Sequence, residues 1–261
     1  MAEALRDQVV SSFTIVKGSM IEETYLIFRN WDFSLSKRGN LQKVKESNSI
    51  RATSASWLRD VAKVLNRRFD PNGRDRPLVE LAAACCPRDV WTPILLWHMT
   101  RDEFLVRHFL TDWLFEQYNK GAYRLRSEDL FPYLESLLNL GVASAEVWSS
   151  HTLKRVASGL LRMSVDFGLM TGKTTREFTP YHLPEESFLY LLHAMAEGKP
   201  NAGAIVNSPD WRMYLLSPED VENEIFRLHQ YRKLHYEVAG SLARLELPCL
   251  TLIDYVREMV Q

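Results

Sequence analysis

Apolar residues recur at three- and four-residue spacing over ten stretches of the chain: 21–31, 54–69, 78–86, 90–99, 104–118, 130–140, 153–167, 188–195, 219–228 and 250–260. This period gathers apolar side chains on one side of a helix, so each stretch is expected to be an α-helix with one face in a core. Helix starts are marked as well. Ser127-Glu128-Asp129, Pro184-Glu185-Glu186 and Ser217-Pro218-Glu219-Asp220 put a capping oxygen, a proline or an acid where a first turn leaves N–H groups unpaired. Gly121, Gly141 and Gly168 stand where helices would end. Strand signals are few. The best is the Gly- and Thr-rich stretch 169–183, with a tight turn at Thr171-Gly172-Lys173. The pattern therefore predicts an all-α, compact multi-helix fold with at most one short β-hairpin.

Chain breaks divide this pattern into three regions. Pro71-Asn72-Gly73 interrupts it within 70–76, and 199–209 is rich in Pro, Gly and Asn. The expected regions are a helical 1–76, a central helical 77–198 and a helical C-terminal extension 199–261. No internal repeat or low-complexity tract is visible.

Composition narrows the class. The 261 residues are 46% hydrophobic and 25% charged, which fits a chain able to bury a core and excludes the disordered regime. Cys85, Cys86 and Cys249 do not make an even, spaced set, so free buried thiols in a reducing compartment are expected rather than a disulfide scaffold. The start, Met1-Ala2-Glu3-Ala4-Leu5-Arg6-Asp7, is too polar and acidic for a signal peptide. Pro87, Arg88 and Asp89 break the most apolar run, and 90–99 is half of the ~20 residues a membrane span needs. A cytoplasmic location is the expectation.

Charge adds a second asymmetry. Residues 1–76 hold 14 Lys and Arg against 9 Asp and Glu, whereas the remainder holds 18 against 24. One face built for a polyanion fits such a division. Two segments could meet a duplex. The first, 36–69, reads as a short helix over 40–46, a turn over 47–51 and a longer helix from 53 to 69. Trp57, Val61, Val64 and Leu65 share one side of that longer helix; Arg59, Lys63 and Arg67 line the other, flanked by Ser56 and Asn66. Like charges at i, i+4 repel, so a polyanionic partner would relieve the row. Lys37, Arg38, Lys43, Lys45 and Arg51 precede it and Arg68 follows. A helix–turn–helix would set these cations against phosphates and the short polar residues near base edges. A solvated helix face is the alternative reading; the charge of the whole segment favours binding.

The second segment, 127–183, reads as a helix at 130–140, a short helix or turn at 143–149, a long helix at 150–167 and then the Gly/Thr-rich tongue. Three helices followed by two strands is the winged-helix order. Leu153, Val156, Ala157, Leu160, Leu161 and Ser164 share one face of the long helix, with Lys154, Arg155 and Arg162 off it and small Ser158 and Gly159 between. The tongue adds Lys173 and Arg176. Such folds dock proteins as well as DNA. By contrast, 177–225 carries nine acids and two cations, which phosphates would repel; a solvated face or a protein contact is expected there.

Catalytic signatures are missing. Gly172-Lys173-Thr174 resembles the end of a phosphate-binding loop, but the required first glycine falls on Phe167 and a helix rather than a strand precedes it. The histidines at 98, 108, 151, 182, 193, 229 and 235 form no i, i+4 pair and have no cysteine at metal-ligand spacing. His229 and His235 would fall on different helix faces. There is no nucleophile elbow and no dinucleotide fingerprint. No catalytic residue, metal or cofactor is expected, and the chain is read as a non-enzyme.

The run Asn40-Leu41-Gln42-Lys43-Val44-Lys45-Glu46-Ser47 through Arg59-Asp60-Val61-Ala62-Lys63-Val64-Leu65-Asn66-Arg67-Arg68-Phe69 resembles the N-terminal part of the BrxA family of bacterial BREX phage-exclusion systems. Trp31, Trp113, Tyr118 and the helix end at 160–168 fit the same pattern, and the resemblance covers most of 15–197. It implies an all-helical, non-enzymatic protein, compared by fold with the RNA-binding factor NusB and expected to bind double-stranded DNA. Implied partners are a DNA methyltransferase, an ATPase and a phosphatase-like subunit of a defence complex. Some members carry an inner-membrane label, which the hydropathy here opposes. Protein scaffolding and NusB-like RNA binding are the alternatives. The candidate contact residues come from charge and periodicity alone.

Overall fold

The computed structural model describes residues 12–139, 148–199, 201–240 and 242–261. Each of the ten periodic stretches carries a helix. The chain starts with α1 (Ser12–Lys17) and α2 (Ile21–Arg29), joined through Gly18 at φ +90. Next come α3 (Lys37–Ser47) and α4 (Ala55–Arg68), a hairpin whose starts are fixed by side-chain caps: Ser36 Oγ accepts from Gly39 N–H at 3.1 Å and Ser54 Oγ from Trp57 N–H at 3.1 Å. α5 (Arg76–Ala83) and α6 (Arg88–Met99) follow. Then α7 (Phe104–His108), a π-helical turn Phe109–Leu114 and α8 (Phe115–Asn119) form one continuous helical run.

The middle of the chain interleaves helices with short strands. β1 (Arg124–Leu125) precedes a 3-10 turn Ser127–Leu130 and α9 (Phe131–Asn139). α10 (Ser150–Asp166) is capped by Ser149 and leads into β2 (Met170–Thr171) and β3 (Arg176–Phe178). The three strands make one antiparallel sheet in the order β1–β3–β2. The short helix or turn expected at 143–149 lies outside the described residues up to 147, as do Gly141 and the N-terminal residues 1–11. Gly172 turns the tongue at φ +103; a Cβ there would meet the Thr175 carbonyl oxygen at 2.2 Å, so the turn accounts for the glycine of the apparent phosphate-loop motif.

The C-terminal part comprises α11 (Glu185–Ala196), α12 (Ala202–Val206), a 3-10 turn Pro209–Tyr214, α13 (Pro218–Gln230), β4 (His235–Ala239), β5 (Leu242–Glu246) and α14 (Leu252–Met259). Strand content thus exceeds the single hairpin expected. β4 and β5 form a second sheet, with Tyr236 opposite Leu245 and Val238 opposite Ala243. Their period-two alternation and the Gly240 turn (φ +61) are the signals that the dominant helical period masks.

Burial joins these elements. One apolar cluster runs from Ile15 to Val256, with Trp91, Trp211, Tyr190 and Phe28 among its fully buried side chains. α14 packs on α5 and α11, so elements far apart in sequence share this core. The 70–76 break is a pinned turn: Asp75 is fully buried and accepts from Asp70 N–H at 2.6 Å. Among the described residues, no helix is long and apolar enough to cross a membrane.

Candidate nucleic-acid interface

α1 decides how the two basic segments relate, because it packs against both α4 and α10. Toward α4, Lys17 pairs with Asp60, and the Lys63 ammonium sits 4.5 Å from the Phe13 ring centre. Toward α10, Ile15 lies on Gly159, where a Cβ would stand 2.9 Å from both Ile15 Cγ2 and the Ile15 carbonyl oxygen. Glycine at 159 therefore sets the approach of α1 to α10. Ser19, just past α1, donates to Asp166 at the end of α10 at 2.6 Å. On α10, Arg155 and Arg162 fall beside Gly159 on the helical wheel, so cations of both helices flank the short α1.

The outward rows divide cleanly from the apolar faces. Arg59, Lys63 and Arg67 are exposed on α4 while Leu58, Val61, Val64 and Leu65 are buried. Lys154, Arg155 and Arg162 are exposed on α10, Lys173 is exposed in the tongue, and Arg38, Lys43 and Lys45 are exposed on α3. Lys43 lies 3.9 Å from Asp32, a loose pair between two exposed groups. Arg38, Lys45, Arg51, Arg59, Lys63, Lys154, Arg155, Arg162 and Lys173 have no ion pair among the described residues. Arg51 sits in the α3–α4 turn in the left-handed region, at φ +53. The Asn48 side chain holds that turn from both sides, accepting from Ala52 N–H at 2.7 Å and donating to Ala52 C=O at 3.0 Å.

Three of the candidate cations are engaged by the protein itself, two of them buried. Arg68 is 0% exposed: Nε donates to Glu103 at 3.0 Å, and its two Nη groups donate to the carbonyls of Ser19 and Thr14 at 3.0 Å each. Thr14 Oγ1 completes the set by donating to the other Glu103 oxygen at 2.7 Å. Position 68 follows 61, 64 and 65 on the apolar side of α4, so the wheel already held this signal. Lys37 donates to the carbonyls of Asn66, at 2.6 Å, and Phe69, capping the negative end of α4; burial lowers its pKa from the usual lysine value. Arg176 is buried because its register opposite Leu125 turns it to the inner side of the sheet. Its Nη1 donates to the Thr174 carbonyl at 3.3 Å, and burial lowers its pKa.

A family model for BrxA matches residues 12–194. The chain belongs to the BrxA family. Membership makes it a BREX-associated defence protein. The matched span holds α1, α4, α10 and the three-stranded sheet, whereas α13, the β4–β5 hairpin and α14 lie beyond the BrxA match. No curated protein sequence matches the chain significantly.

The acidic stretch is largely occupied in internal contacts. Asp220 closes a capping box with Ser217, Glu222 accepts from Tyr236 Oη at 2.8 Å, and Glu185 and Glu224 hold Arg227 at 3.0 and 2.6 Å. The apolar face of the C-terminal helix is likewise used, with Leu252, Tyr255 and Val256 buried.

Proposed function

We propose that this BrxA-family chain binds double-stranded DNA, without catalysis, as an accessory component of a BREX system in the cytoplasm. One observation carries the reading. Arg59 and Lys63 of α4, and Lys154, Arg155 and Arg162 of α10, stand on two helices that flank α1 and lack carboxylate partners among the described residues. An outward face of this charge matches the closely spaced phosphates of a duplex.

Topology supports roles for the parts. The expected helix at 143–149 lies outside the described residues up to 147, but the run α7–α8, β1, α9, α10, β2, β3 with strand order β1–β3–β2 supports a winged-helix reading with α7–α8 as its first helix. In that reading α10 enters the major groove, Lys154, Arg155 and Arg162 contact phosphates, Ser158 faces base edges, and Lys173 on the tongue touches the backbone. α3 and α4 act as the helix–turn–helix, with Arg59, Lys63 and Arg67 on the phosphates and Arg51 in the turn that the Asn48–Ala52 clasp closes. The methyltransferase, ATPase and phosphatase-like subunits of the system are its expected protein partners.

Fluorescence anisotropy with a short duplex at several salt concentrations tests the proposal. Neutralising about five phosphates gives a log–log salt slope of roughly −4 to −5. Arg155→Glu with Arg162→Glu, and separately Arg59→Glu with Lys63→Glu, should weaken binding to every sequence. Each phosphate left without its cation should flatten the slope by about 1. A slope near zero, or affinity unchanged in both variants, refutes it. An RNA duplex that outcompetes DNA for the same variants would transfer the site to RNA.

A further inference from the structure

Beyond the family match, the end of α13 and the β4–β5 hairpin surround an open cavity of about 360 Å³. Four of its lining side chains carry nitrogen: His229, Arg232, Lys233 and His235. The one lining carboxylate, Glu246, is paired with Arg244 on the same strand. Glu185 lies 3.6 Å from Lys233, and Glu237 is 2.9 Å from His235 Nε2, so these two groups are shared rather than fully spent. Arg232 is exposed and has no ion pair among the described residues.

Arg232 also has an uncommon backbone conformation, shared among the described residues with Met20, Asn48, Arg51, Cys85 and Leu215. Arg232 N–H donates to the His229 carbonyl at 2.9 Å and Lys233 N–H to that of Leu228 at 3.0 Å, the pair of bonds that closes a helix through a left-handed residue. Arg232 takes that position at φ +59, where glycine is the conformationally easy choice. A long cationic side chain at a strained position, on the rim of a cavity, points to a use for the guanidinium. Next to it, His229 Nδ1 accepts from Tyr236 N–H at 3.1 Å, so the neutral ring carries its proton on Nε2 as a donor. The His229 and His235 rings meet edge to face at 5.1 Å. Leu234, Leu247 and Pro248 supply an apolar wall.

We propose that this cavity binds a nucleotide unit through its phosphate. Arg232 and Lys233 pair with the phosphate oxygens, His229 donates from Nε2, and the base or sugar lies against Leu234, Leu247 and Pro248. The volume supports a unit of that size, since small-molecule sites begin near ~300 Å³ and a bare phosphate would leave most of this one unfilled. The same chemistry has two sources, a free mononucleotide or a nucleotide of a nucleic acid, and no residue of α4 or α10 lines the site.

Calorimetric titration of the full chain with adenosine monophosphate, inorganic phosphate and a short DNA duplex tests this. Arg232→Gly should lower nucleotide affinity at least tenfold while the thermal midpoint stays level or rises, because glycine suits the left-handed turn; Lys233→Gln should lower affinity several-fold. A loss confined to the duplex assigns the phosphate to nucleic acid. The α4 and α10 reversals should leave mononucleotide binding unchanged, so failure of the DNA reading would not remove this one. Absence of any binding that depends on Arg232 overturns it.

Discussion

Arg68 lies on the inner side of α4 and Arg59, Lys63 and Arg67 on the outer side, and the two sets occupy opposite environments. Inside, each of the three Arg68 nitrogens donates, to Glu103 or to the carbonyls of Ser19 and Thr14. Outside, Arg59 and Lys63 have no described carboxylate partner. The inner guanidinium ties α1, α4 and α7 together; Arg59 and Lys63 remain available to a ligand. Cation counts along a segment overstate an interface until helix phase is considered, since the single step from Arg67 to Arg68 separates a surface charge from a structural one.

The largest effect should come from breaking the inner set. Removing one partner of a buried ion pair leaves the other uncompensated, which costs about 3–5 kcal/mol. Arg68→Met should therefore lower stability in urea unfolding by that order, whereas Arg59→Met should stay within about 0.5 kcal/mol. Equal losses would erase the distinction between the two sides.

Gly159→Ala acts where α1 joins the two helices. The added methyl meets Ile15 at 2.9 Å on both a side-chain and a backbone atom, so α1 must shift from α10. A loss of about 1–3 kcal/mol is expected, with weaker duplex binding as the two rows move apart. A thermal melt unchanged from the parent would argue that α1 does not set the spacing.

A third test probes the interior by pH. His98 is fully buried, with Nδ1 2.6 Å from Asp75 Oδ1 and Nε2 2.7 Å from Tyr190 Oη. Burial is the main influence on it and holds its pKa below 6.5 despite Asp75. The unfolded chain therefore takes up a proton that the folded chain refuses. Stability from this group is full above pH 6.5 and is lost as pH falls below it, by up to ~1.4 kcal/mol per pH unit for one proton. His193, also pushed down by burial, acts in the same direction. Urea unfolding at pH 7 and pH 5 should show the decline, and His98→Asn should reduce it; a profile flat over that range would contradict the assignment.

Lys37→Met is the smallest. It removes a cation from the carbonyl end of α4 and should cost about 0.3–1 kcal/mol while leaving duplex affinity unchanged. A tenfold loss of affinity would return Lys37 to the interface.

The α3–α4 hairpin illustrates how much could be read in advance. Its two helices, the turn over 47–51 and the outward phase of Arg59, Lys63 and Arg67 follow from local spacing, whereas the caps at Ser36 and Ser54 start the helices at 37 and 55 rather than at the expected 40 and 53. β4 and β5 were hidden because ten helical periods dominate the pattern, although Tyr236, Val238, Ala243 and Leu245 alternate as a hairpin should. The cavity at Arg232 gave no sequence signal, since its walls come from α13 and both strands. Nor did spacing reveal that His229 and His235 meet: a turn, not a helix, separates them.

By itself the sequence determined the helices, their apolar faces and the family, because these depend on periodicity and on contacts within a few residues. Only the tertiary structure decided what the inward cations meet. Arg68 meets Glu103 across 35 positions, and Arg176 turns inward through a pairing with β1. Such partners come from remote elements, so burial and charge pairing exist only once the chain has closed on itself.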